Sequence, residues 1–432
     1  MGREMTMPDD RTTGYYHAAL ETCSADERAE YQHGQLQRIV RHAYDNAPAI
    51  RKKFDTAGIG PEDVRAVGDL ERLPITHKRD LSALQEADPP FGGFLGVPVS
   101  QLKRICMSPG PIYEPEEIHS ENDRWTQAFY AAGFRKGDIG QITFSYHLVP
   151  PAFWFEEALH RLGCVATPGG VGNTDQQLRM MHDVKVTGYI GTPSFLVNIA
   201  EKARQVGYDL KMDLHLAVGF VAGEMLSESL RDQLESDFGM LLRQGYGTAD
   251  VGCLAYECFH KTGMHIPYNC IVEIVDPDTG RQVPAGDPGE VVVTVFDRAY
   301  PMIRFGTGDL SYVTEDTCPC GRTTKRLVRI LGRLDQVTKV KGMFVHPGNA
   351  EEVAAKFPEI DRYQVIITRE AHKDQMTFHI ELKEGVEPSE ELARKIAAAI
   401  PESMRVRGQV SFVEKGTLPE DGKKIVDQRK WD

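Results

Sequence analysis

Long apolar runs are missing from this chain. No hydrophobic stretch approaches the roughly 18 residues needed to cross a bilayer, so no membrane partner is expected. Positive charge is also in deficit: the 432 residues carry 50 Lys and Arg against 63 Asp and Glu, a formal net charge of −13. Surfaces that grip nucleic acid or acidic membranes are built on a Lys/Arg excess, so no nucleic-acid partner is expected either. An anionic small molecule can still be held by local N–H groups and a few cations. The segment Met1–Thr13 has no apolar core of the kind an export signal needs. The eight cysteines are scattered without secretory context, which suits a reduced cytoplasm. Internal repeats and low-complexity tracts are absent.

What is present describes a globular protein, with 41% hydrophobic and 26% charged residues. The length exceeds one ordinary core, so two domains are expected. Residues 14–60 alternate charged and apolar positions at helical spacing, as in Leu36-Gln37-Arg38-Ile39-Val40. Leu73-Pro74-Ile75-Thr76-His77-Lys78-Arg79-Asp80-Leu81 reads as a turn into a capped helix. Short apolar runs at Ile142–Phe144, Gly188–Gly191 and Leu216–Val221 read as buried strands. Helices are expected between them, at Trp154–Leu162, Gln176–Asp183 and Ser194–Val206. This alternation favours parallel α/β layers. From about residue 270 the pattern becomes strands and turns, an antiparallel β subdomain. A small α+β unit follows Asp335, with helices near Ala350–Lys356 and Ser389–Ile400 and strands near Gln364–Thr368, Thr377–Leu382 and Gln409–Val413.

Two groups of residues carry chemistry on their own terms. Cys258-x₆-His265 with Cys318-Pro319-Cys320 offers four soft or borderline ligands, a donor set suited to a tetrahedral structural Zn²⁺. Cys253 and His260 are nearby competitors. In Tyr246-Gly247-Thr248-Ala249-Asp250 the glycine permits a backbone turn close to a ligand and Tyr246 offers a flat face to a purine. Thr248 and Asp250 are suited to phosphate and Mg²⁺.

Further motifs follow in order: Arg304-Phe305-Gly306-Thr307-Gly308-Asp309-Leu310, Gly332-Arg333-Leu334-Asp335, Lys339-Val340-Lys341-Gly342 and Gly422-Lys423-Lys424. In this order and spacing they resemble the adenylate-forming enzymes, most closely the phenylacetate-CoA ligase family, from about residue 30 onward. The Cys318-Pro319-Cys320-Gly321-Arg322-Thr323 knuckle resembles the same branch. The resemblance implies a layered α/β N-terminal adenylation domain at 1–334, bearing the antiparallel subdomain. It also implies a mobile α+β lid at 335–432, with Asp335 as hinge. The implied reaction joins a carboxylic acid to ATP as an acyl-adenylate and then to coenzyme A.

The resemblance also assigns roles. Gly223 and Glu224 would form the adenine-side turn, Asp309 would accept the ribose hydroxyls, and Arg333 would contact ribose or phosphate. Ser108 and Gly110 would lie in the phosphate loop and Asp250 on Mg²⁺. Lys423 is the expected catalytic cation, because an ammonium stabilises charge that builds on the phosphoryl oxygens and leaving pyrophosphate. Lys424 is its alternative. Lys339, Lys341 and Gly342 would serve thioester transfer. Tyr146, His147, Phe153 and Gly169 would line an aromatic acid pocket, and the assembly would be a homodimer. One segment departs from the pattern. Where the family reads roughly Ser-Ser-Gly-Thr-Thr-Gly-Lys-Pro, this chain has Ser108-Pro109-Gly110-Pro111-Ile112-Tyr113-Glu114-Pro115. Its prolines remove backbone donors, the lysine is absent and Glu114 adds negative charge. Two rivals therefore stand beside the ligase: acyl transfer to a carrier protein or amine, and a non-catalytic homologue that binds nucleotide or acid.

Overall fold

The computed structural model describes residues 11–118, 120, 122–334, 338–340, 343–345, 347–370, 373–419 and 423–429. Two compact units emerge. The large unit holds residues 1–287, 292–307 and 313–329, and the small unit 288–291, 308–312 and 330–432. Asp335, the expected hinge, lies outside the described residues.

In the large unit, five parallel strands run in the order Val165–Pro168, Ile139–Ile142, Gly188–Gly191, Val218–Val221 and Leu241–Thr248. Antiparallel Gly252–Glu257 and Met264–His265 extend them. Helices Pro151–Arg161, Thr174–Val184, Pro193–Gln205 and Glu228–Phe238 connect the parallel strands. Successive side chains of a strand point to opposite faces, and the two cores follow from that. Ile190 and Phe220 join Trp125, Phe129 and Phe155 on one face. Tyr189 and Val221 join Leu196, Ile199 and Leu234 on the other.

Helix Ala25–Asn46 opens with a capping box, in which Ser24 and Glu27 satisfy each other's backbone N–H. It buries Leu36, Ile39, Val40 and Ala43, spaced to share one helix face. The segment after Leu73 differs from the sequence reading. Thr76–His77 forms a two-residue strand parallel to Phe305–Gly306. The helix Leu81–Ala87 then begins without a side-chain cap from Asp80.

The small unit is an α+β layer. Its four-stranded sheet runs Gln409–Phe412, Lys373–Leu382, Ile360–Glu370 and Ile425–Asp427. Helices Pro347–Ala355 and Glu390–Met404 contribute Val353, Ile396 and Ile400 to a core shared with Val365, Ile367, Phe378 and Ile380. The strand Ile425–Asp427 was not anticipated. It pairs parallel to Val365–Ile367 and so anchors the backbone directly after Lys424.

One buried cation organises the large unit's N-terminal half. Arg304 is 2% exposed and adopts a left-handed backbone (φ 55°), a conformation disfavoured for a residue with a Cβ. Its guanidinium donates to the carbonyls of Leu73 (2.8 Å), Glu71 (3.2 Å) and Gly280, and to Glu273 (3.4 Å). Its own carbonyl accepts from Thr76 N (3.0 Å) and from the ammonium of Lys53 (3.2 Å). Burial pushes Lys53 down to about 7 and Glu273 up to about 7, with Arg304 opposing the shift of Glu273 and reinforcing that of Lys53. Removing one partner of such a buried ionic network costs about 3–5 kcal/mol. Arg304→Met is therefore expected to lower unfolding stability by that amount, as read by urea denaturation. A change under about 1 kcal/mol would show the network to be incidental.

Candidate active site and metal centre

The motif Tyr246-Gly247-Thr248 is the end of strand Leu241–Thr248 rather than a free turn, with the ladder irregular between Tyr246 and Gly247. The glycines are required by close approach within the sheet. A Cβ on Gly247 would sit 2.4 Å from the Gly252 carbonyl oxygen, and one on Gly245 2.4 Å from the Phe220 ring. Tyr246 donates its hydroxyl to Thr307 (3.2 Å). The Thr248 hydroxyl is buried with no hydrogen-bond partner. Asp250 follows in the turn, its side chain fully buried, with Oδ2 accepting from the Lys78 ammonium at 2.6 Å. Its Oδ1 has no partner. Lys78 belonged to a segment legible in the sequence, but no role was assigned to it there.

The expected phosphate loop is a β-hairpin. Strands Leu102–Ser108 and Ile112–Glu117 pair antiparallel across Pro109-Gly110-Pro111. The Ser108 hydroxyl donates to the Glu114 carboxylate, so its hydrogen is already committed. Glu114 is pushed up to about 7, chiefly by burial, with the charge of Asp250 adding to the effect. Gly110 sits against Ile112, where a Cβ would come within 2.8 Å of that side chain. The hairpin thus contributes a buried carboxylate where a donor-rich loop was the family expectation. Beside it a cavity is lined by Glu114, Asp250, Trp125, Trp154, Asp297 and Tyr300, among others.

Gly223 has φ +82°, and a Cβ there would lie 3.7 Å from the Phe144 ring, so the turn expected on the adenine side abuts that aromatic residue. Glu224 is turned toward the start of helix Pro193–Gln205, accepting from Ser194 Oγ (2.8 Å) and Ser194 N (3.2 Å). That carboxylate serves the helix N-terminus, where negative charge is favoured. Tyr146 donates to Glu156 (3.0 Å) and packs edge-on against Phe153, with ring centroids 5.2 Å apart. The Arg104 guanidinium also lies over Phe153, at 4.3 Å. His147 is exposed. Gly169 is needed for close packing, since a Cβ would meet Gln177 at 2.6 Å.

In the small unit, Arg333 and Asp309 are paired at 3.3 Å. Asp309 lies within strand Phe305–Thr314, next to Gly308 (φ +77°), whose N–H donates to Glu290 (3.1 Å). Lys423 is exposed, and its carbonyl accepts from Gln364 (2.8 Å). The neighbouring Lys424 ammonium lies over the Tyr363 ring at 4.7 Å, which leaves Lys423 the more available cation. Lys341 and Gly342 fall outside the described residues, and so does the side chain of Lys339.

The candidate metal site is compact. The ligand atoms of Cys258, His265, Cys318 and Cys320 all lie within 4.8 Å of one another, and Cys253 and His260 are not part of the group. Cys258 and Cys318 sulfurs are 3.7 Å apart, and Cys320 sulfur lies 3.4 Å from His265 Nε2. A tetrahedron with metal–sulfur bonds of about 2.3 Å has sulfur–sulfur edges of about 3.8 Å. The donors therefore already stand close to the spacing that zinc requires. The Nδ1 of His265 faces Thr324 at 3.3 Å, which orients Nε2 inward. The knuckle also clasps the N-terminal arm. Tyr15 donates to the Cys320 carbonyl (2.8 Å), and Arg322 donates to Glu21 (2.7 Å).

Comparison with known proteins adds the following. Residues 146–295 match the AMP-binding enzyme family model, and 342–429 match the AMP-binding enzyme C-terminal domain. The chain is 30% identical to phenylacetate-coenzyme A ligase of Thermus thermophilus over 96% of this chain and 100% of that one. It is equally similar to the Escherichia coli enzyme of the same name, over 93% and 94%. Among solved structures, an open conformation of 2-hydroxyisobutyryl-CoA ligase, in complex with 2-HIB-AMP and CoA, superposes with a TM-score of 0.86. It is 25% identical and covers 98% of this chain and 96% of that one. Among the described residues no helix is long and apolar enough to cross a membrane.

The donor geometry predicts one zinc per chain by elemental analysis. Cys320→Ser should lower its content at least about tenfold under a chelator and depress the melting temperature. Full thermal stability of metal-free protein would exclude a structural role.

Proposed function

The chain belongs to the phenylacetate-coenzyme A ligase family, AMP-forming acid–thiol ligases of the adenylate-forming superfamily, and from that premise we propose that it activates an aromatic acid, aryl-acetic or aryl dicarboxylic, to its CoA thioester. The observation that carries this reading is similarity along the whole chain to ligases named for phenylacetate. The Phe144 ring beside the Gly223 turn and the paired Tyr146 and Phe153 rings support it, since an apolar site with few polar anchors suits an aryl group. A second reading, a small hydroxy acid, is favoured by the likeness to 2-hydroxyisobutyryl-CoA ligase.

ATP and coenzyme A are the co-substrates. In the first half-reaction the acid's carboxylate oxygen attacks the α-phosphorus and pyrophosphate leaves. In the second, the thiol attacks the acyl carbonyl and AMP leaves. Mg²⁺ is assigned to Asp250, whose buried Oδ1 without a partner fits a hard cation that prefers oxygen ligands; bound there, it would offset phosphate charge. Lys78, held beside Asp250, is assigned to the phosphates in place of the lysine that Ser108–Pro115 lacks. Lys423 is assigned to stabilising the first transition state. Asp309 is assigned to the ribose and Arg333 to the ribose or phosphate. The Cys258, His265, Cys318 and Cys320 set is assigned a structural zinc, because protein donors fill all four positions.

Pyrophosphate release with a panel of aryl acids and 2-hydroxyisobutyrate, with and without CoA, tests the substrate class. Aryl-dependent release accelerated by CoA is expected, and release with the hydroxy acid alone would overturn the aromatic reading. Lys423→Ala should lose adenylation far more than thioester formation from supplied acyl-adenylate; equal loss in both halves would refute its assignment. Lys78→Ala removes a charge-assisted bond worth about 1.5–3 kcal/mol, so KM for ATP should rise roughly 10- to 100-fold. An unchanged KM would remove Lys78 from the phosphate site.

A further inference from the structure

The cavity beside the hairpin is rich in carboxylates, but most of them already have partners. Glu157 is paired with Lys103 and with Arg104 (2.8 Å), and Glu116 with Arg104 (3.3 Å). Asp297 is paired with Arg124 (2.9 Å) and Glu117 with Arg298 (3.6 Å). Glu116 Oε2 accepts no hydrogen bond but lies against the Arg104 guanidinium, whereas two residues have an oxygen with neither. Glu114 is 4% exposed, and while Ser108 donates to its Oε1, its Oε2 accepts nothing. Asp250 is 7% exposed, and while Lys78 donates to its Oδ2, its Oδ1 accepts nothing. Both line the same cavity, and the hydroxyl of Thr248, two residues before Asp250, also lacks a partner.

A buried polar atom without a partner costs about 1–3 kcal/mol, so two carboxylate oxygens left bare in one cavity mark a place prepared for something positive. Lys78 reaches only the other oxygen of Asp250, at 2.6 Å. An ammonium of a ligand needs several acceptors around it, whereas a hard divalent cation takes one or two carboxylate oxygens and completes its shell with water and phosphate oxygens. The hairpin's own cations, Lys103 and Arg104, are taken up by Glu157 and Glu116, and Pro109, Pro111 and Pro115 offer no N–H to a phosphate. We infer that Glu114 is a second carboxylate for the divalent cation that accompanies the nucleotide, shared with Asp250. Negative charge on the hairpin then recruits the neutralising ion instead of repelling the phosphates. This inference rests on the reading of Asp250 as a metal carboxylate.

The test is Mn²⁺ binding to the full zinc-replete chain without nucleotide, followed by electron paramagnetic resonance of the free ion. Glu114→Gln keeps the shape and the Ser108 contact but weakens the oxygen donor. Glu114→Gln and Asp250→Asn are each expected to weaken Mn²⁺ at least about tenfold, while Glu157→Gln leaves it unchanged. Glu114→Lys, which places a cation against the ion, should abolish binding. Loss in Asp250→Asn with wild-type affinity in Glu114→Gln would overturn the role of Glu114 and leave that of Asp250 standing. Wild-type affinity in both variants would overturn both.

Discussion

The arrangement of the large unit depends on one guanidinium placed where solvent cannot reach it. Arg304 gathers carbonyls from residues 71, 73 and 280, which lie far apart in sequence, and its left-handed backbone turns its own carbonyl toward Thr76 and Lys53. An isolated buried cation would be costly, so the acceptors must all be present together. That requirement sets the parallel pairing of Thr76–His77 with Phe305–Gly306. The pairing in turn delivers the next residue, Lys78, to Asp250. A structural cation thus sets where the cation proposed for the phosphates stands, through backbone geometry.

Much of the architecture was legible in the sequence because it is local. The short apolar run Gly188–Gly191 and the helical spacing in Ser194–Val206 each report an element from its own residues, and the structure finds both within a residue or two. The Cys/His spacing likewise singled out four ligands that the fold gathers together. The failures share a different cause. Ile425–Asp427 is a strand only because Val365–Ile367 provides a ladder for it, and three residues carry no period of their own. Tyr246-Gly247 read as a turn because glycine usually marks one, yet here glycine admits a neighbouring strand. Asp80 had the chemistry of a cap without the geometry. Pairings such as Lys78 with Asp250, Ser108 with Glu114 and Arg304 with Glu273 decide which charges are free, and tertiary placement alone reveals them.

That distinction matters most at the hairpin 102–117. In the sequence, Glu114 counted as one more negative charge in a region expected to meet phosphate. In the structure it is buried, bonded to Ser108 and facing the same cavity as Asp250. The sign of a residue is legible in sequence; whether that sign repels a ligand or recruits its counter-ion depends on which oxygens remain unsatisfied. Glu224 gives the opposite lesson. Its carboxylate, placed by resemblance at the adenine side, is engaged with the start of a helix.

The clasp between the N-terminal arm and the cysteine knuckle has a consequence for how the chain is made. Glu21 meets Arg322 across 301 residues, and Lys53 meets Arg304 across 251. At ribosomal speeds of about 5–20 residues per second, the segment around Glu21 emerges on the order of 15–60 s before its partner. During that interval helix Ala25–Asn46 lacks the polar ties of Arg28 to Thr323 and of His42 to the Arg298 carbonyl. Closing so long a loop is also an entropic step that local contacts cannot shortcut. The segment around Glu21, made long before Arg322, is thus among the last to be fastened.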